Sequence, residues 1–294
     1  MVIVARLGVA LALVFVPAAV ASGLDGTKHV VERVSLAGIE ADFSYFATSR
    51  TKTFDNGGKK TTYTETTYSK LRISLISQGK LVFSRLLNCS GCKPAGQAGG
   101  KPERSIRVLK LEPDGLPVAL LDLYSGGAHC CFVTHLYVPA GGGYHAIEHD
   151  WGDPGYRLKD FDHDGTIEFA SADDRFAYAF TDFADSGMPI RIWKLLGGKL
   201  SDATHSFPNA IRADSTIWWR AYLKRRVGSY PYVRGILAAW AADEALLGRW
   251  DTAQAALQQA LVRGDLDQNP DNVTATRYLA NLRSFLRKNG YLPR

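Results

Sequence analysis

The sequence predicts an α+β protein, mainly antiparallel β in its N-terminal region and helical after it. Two observations carry this. From about residue 30 to residue 207, runs rich in Val, Ile, Thr, Tyr and Phe alternate with Gly, Asp and Asn turns, the period of strands. After Pro208 the apolar period changes from two to 3.6, the period of helices. The expected organisation is a signal peptide over residues 1–22, a β domain over 23–207 and an α-helical domain over 208–294.

The N-terminal segment is read from its parts. Arg6 supplies one positive charge, residues 7–16 are an apolar run, Pro17 breaks it, and Ala19-Val20-Ala21 gives a small-x-small cleavage pattern. A bilayer span takes about 20 residues, more than this run offers. No cysteine follows the cleavage pattern as in a lipoprotein, and no later stretch is apolar enough to span. The expected location is therefore secreted or periplasmic. The formal charge is +6, or about +5 without Arg6. That favours loose attraction to anionic envelope surfaces and argues against nucleic acid, since the one basic cluster, Lys224-Arg225-Arg226, reads as a solvated helix end.

Within the β region, residues 61–77 form a long alternating stretch, 76–83 a hairpin, and 92–102 a Gly/Pro-rich loop. Hairpin-like turns recur at Gly79, Gly143 and Gly198. Between them lie Asp114-Gly115 and Asp164-Gly165, each leading into an apolar strand. This pattern predicts two to three copies of one supersecondary unit. Cys89, Cys92, Cys130 and Cys131 suggest disulfides in an oxidising compartment. The preferred pairing staples the 89–92 loop to the 130–131 pair. Two local bridges, or a zinc site of these thiolates with His129, are the alternatives.

In the helical region a first helix covers about 213–226 with Trp218 and Trp219. A second places Val233, Ile236, Leu237, Trp240 and Leu247 on one face. Asp251 is the expected N-cap of a third with Ala253, Leu257 and Leu261 inward. A fourth starts at Pro270-Asp271, turns Tyr278, Leu282 and Leu286 inward, and ends at Gly290. Residues 242–261, with their turn at Gly248, resemble one tetratricopeptide-type helix pair.

The chemistry sits in Asp160-Phe161-Asp162-His163-Asp164-Gly165-Thr166-Ile167-Glu168. Calcium takes six to eight oxygens at about 2.3–2.6 Å. Alternating aspartates in a tight turn aim three carboxylates inward, and glycine at the sixth place permits the reversal. Thr166 offers its carbonyl and Glu168 a further carboxylate. An EF-hand needs a bidentate glutamate at position twelve, and Ser171 stands there, so the loop is not an EF-hand. It resembles the calcium loops of FG-GAP and VCBS-type β-propeller repeats over residues 107–180. The resemblance implies propeller-blade-like units, with Asp160, Asp162, Asp164, Thr166 and Glu168 as ligands of a structural calcium. The matching earlier segment carries Lys110, Glu112, Asp114 and Val118 at the ligand places and has lost its site. The Gly-Gly-Ala-His-Cys-Cys segment at 126–131 resembles one found in uncharacterised secreted bacterial proteins.

The leading reading is an exported, calcium-binding structural or binding module, rather than an enzyme, with a protein or cell-envelope glycan as ligand. One alternative is a metal-dependent hydrolase built on His129, His135, His145 and His149, with Glu148, Asp150 and Asp153 nearby. Neither an H-E-x-x-H nor a G-x-S-x-G motif supports it. Another is an adaptor whose helices bind protein. The aromatics Trp151, Tyr156, Phe176, Tyr178, Phe180 and Phe183 are expected either to pack in the core or to form a sugar-stacking surface around the acidic loop.

Overall fold

Antiparallel sheets fill the N-terminal region and helices the C-terminal region, in a computed structural model that describes residues 25–89, 91–97, 104–127, 131–268 and 272–293. The proposed signal segment, His129, Cys130 and Pro270-Asp271 lie outside these residues. The first sheet is a meander of β1 (Gly26–Leu36), β2 (Ile39–Asn56), β3 (Lys59–Ser77) and β4 (Lys80–Leu86). The second holds β5 (Lys93–Pro94), β6 (Ile106–Leu109), β7 (Val118–Tyr124), β8 (Phe132–Ala140) and β9 (Gly143–Asp150), with β5 and β6 both paired to β7. The third is β10 (Arg157–Lys159), β11 (Glu168–Ala172), β12 (Ile190–Leu196) and β13 (Lys199–Asp202). Among the described residues all three sheets remain open.

Tight turns set the registers. Ala37-Gly38, Gly57-Gly58, Gln78-Gly79, Gly141-Gly142 and Gly197-Gly198 each join paired strands by two residues, both with positive φ. That is the type I′ geometry, whose twist matches the flanking strands. The hairpins at Gly79, Gly143 and Gly198 join the last two strands of the first, second and third sheet respectively.

β7 is apolar except for Asp122 and Tyr124 because both its faces are covered. Ala119, Leu121 and Leu123 pack with Phe43, Tyr45, Ile73 and Leu75 of the first sheet. Val118 and Leu120 pack with Leu136, Trp151, Phe169 and Leu195 toward the third. Asp122, on this second face, is buried and fully served. Thr134 Oγ1 donates to its Oδ1 at 2.6 Å and Tyr156 OH at 2.9 Å. Arg107 Nη2 donates to Oδ2 at 2.6 Å, and Trp151 Nε1 donates to Thr134 Oγ1 at 2.9 Å. A buried charge is tolerable only with such complete pairing.

The helices are α1 (Pro208–Arg225), α2 (Arg234–Leu246), α3 (Trp250–Val262) and α4 (Ala275–Lys288). α1 begins five residues earlier than expected because Pro208 suits the first helical turn. Asp251 lies in the first turn of α3 and Arg249 is the N-cap, while Thr274 caps α4 by accepting from Arg277 N. The helical core also takes in Phe176 and Phe180, from the turns between β11 and β12. This segment meets α2 backbone to backbone: a Cβ on Gly235 would lie 2.4 Å from the Asp185 carbonyl oxygen. Arg225 Nη1 reaches Asp185 Oδ1 at 2.6 Å, and Tyr291 OH donates to Asp173 Oδ2 at 2.7 Å. So the third sheet and the helices share one packed interface. Inside the helical layer Arg234 is buried, donates to the Leu266 and Val273 carbonyls, and lies over the Tyr278 ring.

Asp243 is fully buried in α2. Burial first, then the neighbouring Asp214 carboxylate, pushes its carboxyl up to about 10, and burial raises Asp214 as well. An unfolded aspartate titrates near 3.9. The protonated Asp243 therefore favours the fold fully below about pH 4, and this contribution is lost progressively as pH rises toward 10. Urea unfolding at pH 5 and pH 9 should show a smaller loss of stability for Asp243→Asn than for the wild type. Parallel losses in the two proteins would contradict the assignment.

Candidate metal centre

β10 and β11 pair with Lys159 opposite Glu168, so the acidic loop closes a hairpin between them. The loop is wound by its own carboxylates. Asp160 Oδ2 accepts from Gly165 N at 3.0 Å, Asp162 Oδ1 from Asp164 N at 3.4 Å, and Asp164 Oδ1 from Thr166 N at 2.6 Å. Glu168 Oε2 accepts from Phe161 N at 3.1 Å. The Thr166 amide, then Lys194, holds the Asp164 carboxyl below its ordinary range. His163 and Gly165 take φ of 62° and 87° to make the reversal. Gly165 is constrained twice, since a Cβ there would also lie 2.7 Å from Pro113 Cγ. Ile167 N donates to the Leu111 carbonyl at 2.7 Å. The loop thus rests on the earlier Asp-Gly segment, which leads into β7.

Of the five predicted ligands, Asp160, Asp162 and Glu168 converge, each offering an oxygen within 4.8 Å of the others. Glu168 is fully buried, and Asp160 is half-buried. Asp160 Oδ1 is buried and accepts no hydrogen bond among the described residues, and the buried Glu168 Oε1 has only an ammonium beside it. Hard anionic oxygens of this kind are the donors a hard divalent cation takes. Asp164 turns instead toward Lys194, whose Nζ lies 3.2 Å from Asp164 Oδ2 and 3.2 Å from Glu168 Oε1. Burial pulls the Lys194 ammonium down, but Glu168 and Asp164 outweigh it and hold the group above its ordinary value. Lys194 carries no motif around it in the sequence. It is found only through the pairing of β11 with β12, which sets it across from Glu168.

Among the described residues, His135, His145 and His149 do not converge on one site. Thr134 pairs with His149, and His135 with Glu148, so His135 faces away from His149. His145 Nε2 lies 3.0 Å from the Gly198 carbonyl oxygen. His149 packs edge-on against Trp151 and Trp193, with ring centroids 4.2 and 4.4 Å away. Burial lowers both His135 and His149. Strand alternation therefore sets His135 apart from His145 and His149, which share one face of β9. His149 borders a cleft of about 490 Å³ lined also by Asp150, Asp174, Arg191 and Trp193. Asp174 and Arg191 had no signal in the sequence pattern.

Nor do the aromatics form a stacking surface around the loop. Trp151 and Tyr156 pack with Phe169, Phe176 and Phe180 sit in the helical core, and Tyr178 pairs with Phe183. Cys89 is bonded to Cys92, with Cα atoms 5.6 Å apart, inside the disulfide range. Cys131 is disulfide-bonded too. The 89–92 bridge is local, where a staple to the 130–131 segment was expected.

Fold and site together describe an α+β protein with a carboxylate-rich hairpin loop. Residues 211–290 match the model of the sll0997 C-terminal domain. The chain is 29% identical to the uncharacterized protein y4bJ of Sinorhizobium fredii (strain NBRC 101917 / NGR234), over 75% of this chain and 36% of that protein. It is 27% identical to the probable thylakoid lumen protein sll0997 of Synechocystis sp. (strain ATCC 27184 / PCC 6803 / Kazusa), over 67% of this chain and 63% of that protein. The chain thus spans about a third of one relative and under two thirds of the other. No solved structure matches. Among the described residues no helix is long and apolar enough to cross a membrane.

Gly165→Ala adds a methyl group to a left-handed residue with no room beside Pro113. It should cost about 1–3 kcal/mol in chemical denaturation. A variant as stable as the wild type would show that the loop does not rest on the 110–115 segment.

Proposed function

We propose that this chain is an exported structural or ligand-binding module whose β region is braced by calcium. Asp160, Asp162 and Glu168 hold the ion, and Asp164 and Thr166 complete the set. One observation carries the reading. Two buried carboxylate oxygens converge in one loop: Asp160 Oδ1 has no hydrogen bond among the described residues, and Glu168 Oε1 meets only the Lys194 ammonium at 3.2 Å. Buried anionic oxygens in that condition are costly unless a cation meets them. The resemblance of the loop to FG-GAP and VCBS-type calcium loops supports the choice of ion. Export is supported by the charged, apolar and small-x-small order of residues 1–22, and by the lumenal name of one relative.

When bound, calcium supplies charge neutralisation and a fixed turn. The residues do the rest: Glu168 starts β11, Asp160 follows β10, and Gly165 seats the loop on Pro113. The ion is thereby a brace between the third sheet and the second. Extracellular sites of this kind bind with dissociation constants on the order of 10⁻⁴ to 10⁻³ M. At ~5 mM calcium that stabilises the fold by about 1–2 kcal/mol.

Calorimetric titration and thermal melting of the chelator-stripped protein test this directly. The melting temperature should rise by several degrees with millimolar calcium in the wild type and stay fixed in Asp162→Ala. No heat and no shift in the wild type would reduce the loop to an acidic turn.

A further inference from the structure

Lys194 stands in β12 directly across from Glu168, one step beyond the last paired residues Phe169 and Trp193. Its side chain is largely buried, and its Nζ touches both Glu168 Oε1 and Asp164 Oδ2 at 3.2 Å. Glu168 is also one of the three carboxylates that converge in the loop. The same buried carboxylate therefore serves two positive partners, one tethered and one from solution. Resting on the calcium reading above, we propose that Lys194 is a built-in competing cation, which occupies Glu168 and Asp164 in the metal-free loop and yields Glu168 to the ion.

Charge sets the direction of the effect. Asp160, Asp162, Asp164 and Glu168 bring four negative charges to the loop, and Lys194 returns one positive charge. Lys159, the other nearby lysine, lies over the Phe161 ring, with its Nζ 4.6 Å from the centroid. One ammonium holds the metal-free loop together but leaves most of its charge unmet, so a dication still gains by entering. A divalent ion and an ammonium on one buried carboxylate repel strongly, because the interior screens them poorly. The lysine stem is flexible, so the ammonium can move aside at the cost of its two contacts. Part of the binding energy of the ion goes into that displacement. Lys194 thus weakens the site and moves its midpoint to higher calcium.

The test is calcium titration of wild type, Lys194→Met and Lys194→Arg by calorimetry, with melting in chelator and in calcium. Lys194→Met keeps the length of the side chain and removes its charge. It should bind calcium about ten-fold or more tighter than wild type, melt lower in chelator, and gain more on calcium addition. Lys194→Arg, which retains the charge, should keep the wild-type affinity and guards against a folding defect in the first variant. Equal affinities in wild type and Lys194→Met would overturn the role of Lys194 while leaving the calcium brace standing. Binding by Lys194→Met alone would overturn the calcium reading and the exchange together, leaving Lys194 as a permanent substitute for the ion. Binding by neither protein would overturn both.

Discussion

A carboxylate withdrawn from water has to be met by positive charge or by hydrogen bonds, and Glu168 states that constraint most sharply in this protein. It is fully buried at the start of β11. One of its oxygens accepts the Phe161 amide and the other faces Lys194. The winding of the acidic loop, the glycine at 165 and the seat on Pro113 all serve to hold other carboxylates beside it. The strand pairing that places Lys194 opposite then follows as compensation.

The same logic repeats through the layers, with different solutions. Asp122, between the second and third sheets, is satisfied by three fixed partners, Arg107, Thr134 and Tyr156. Asp173, at the edge of the third sheet, is met by Arg175 and by Tyr291 from the far end of the chain. Burial works to raise its carboxyl, but those partners outweigh it and hold it below the ordinary range. Asp243 has another carboxylate, Asp214, beside it and keeps a proton instead. Full pairing, partial pairing and protonation are the three ways a buried acid can survive, and this fold uses each at a boundary between packed units.

Much of this was legible in the sequence wherever the signal was local. Alternation in β2 and β3, the two-residue glycine turns, the change of period at Pro208 and the spacing of acids in the loop all involve residues a few positions apart. Partners chosen by topology were not legible. Nothing near Lys194 announces that strand pairing will set it across from Glu168, and Asp122 gives no hint of Arg107 or Tyr156. Phe176 and Phe180 lie in a segment of β-like composition, yet their packing partners are helices more than fifty residues downstream. The histidines show the converse error. His135, His145 and His149 look like a cluster when counted along the chain, but strand alternation turns His135 to the other face, and His145 and His149, though on one face of β9, contact different groups.

The central claim is that the buried charge at Glu168 is compensated by a cation that can be exchanged. The most direct measurement is a crystal structure grown in millimolar calcium, with anomalous scattering to identify the ion. The account predicts an anomalous peak about 2.3–2.6 Å from oxygens of Asp160, Asp162 and Glu168, with the Lys194 ammonium withdrawn from Glu168. A map without that peak, in which Lys194 still touches Glu168 and Asp164 together, would contradict it.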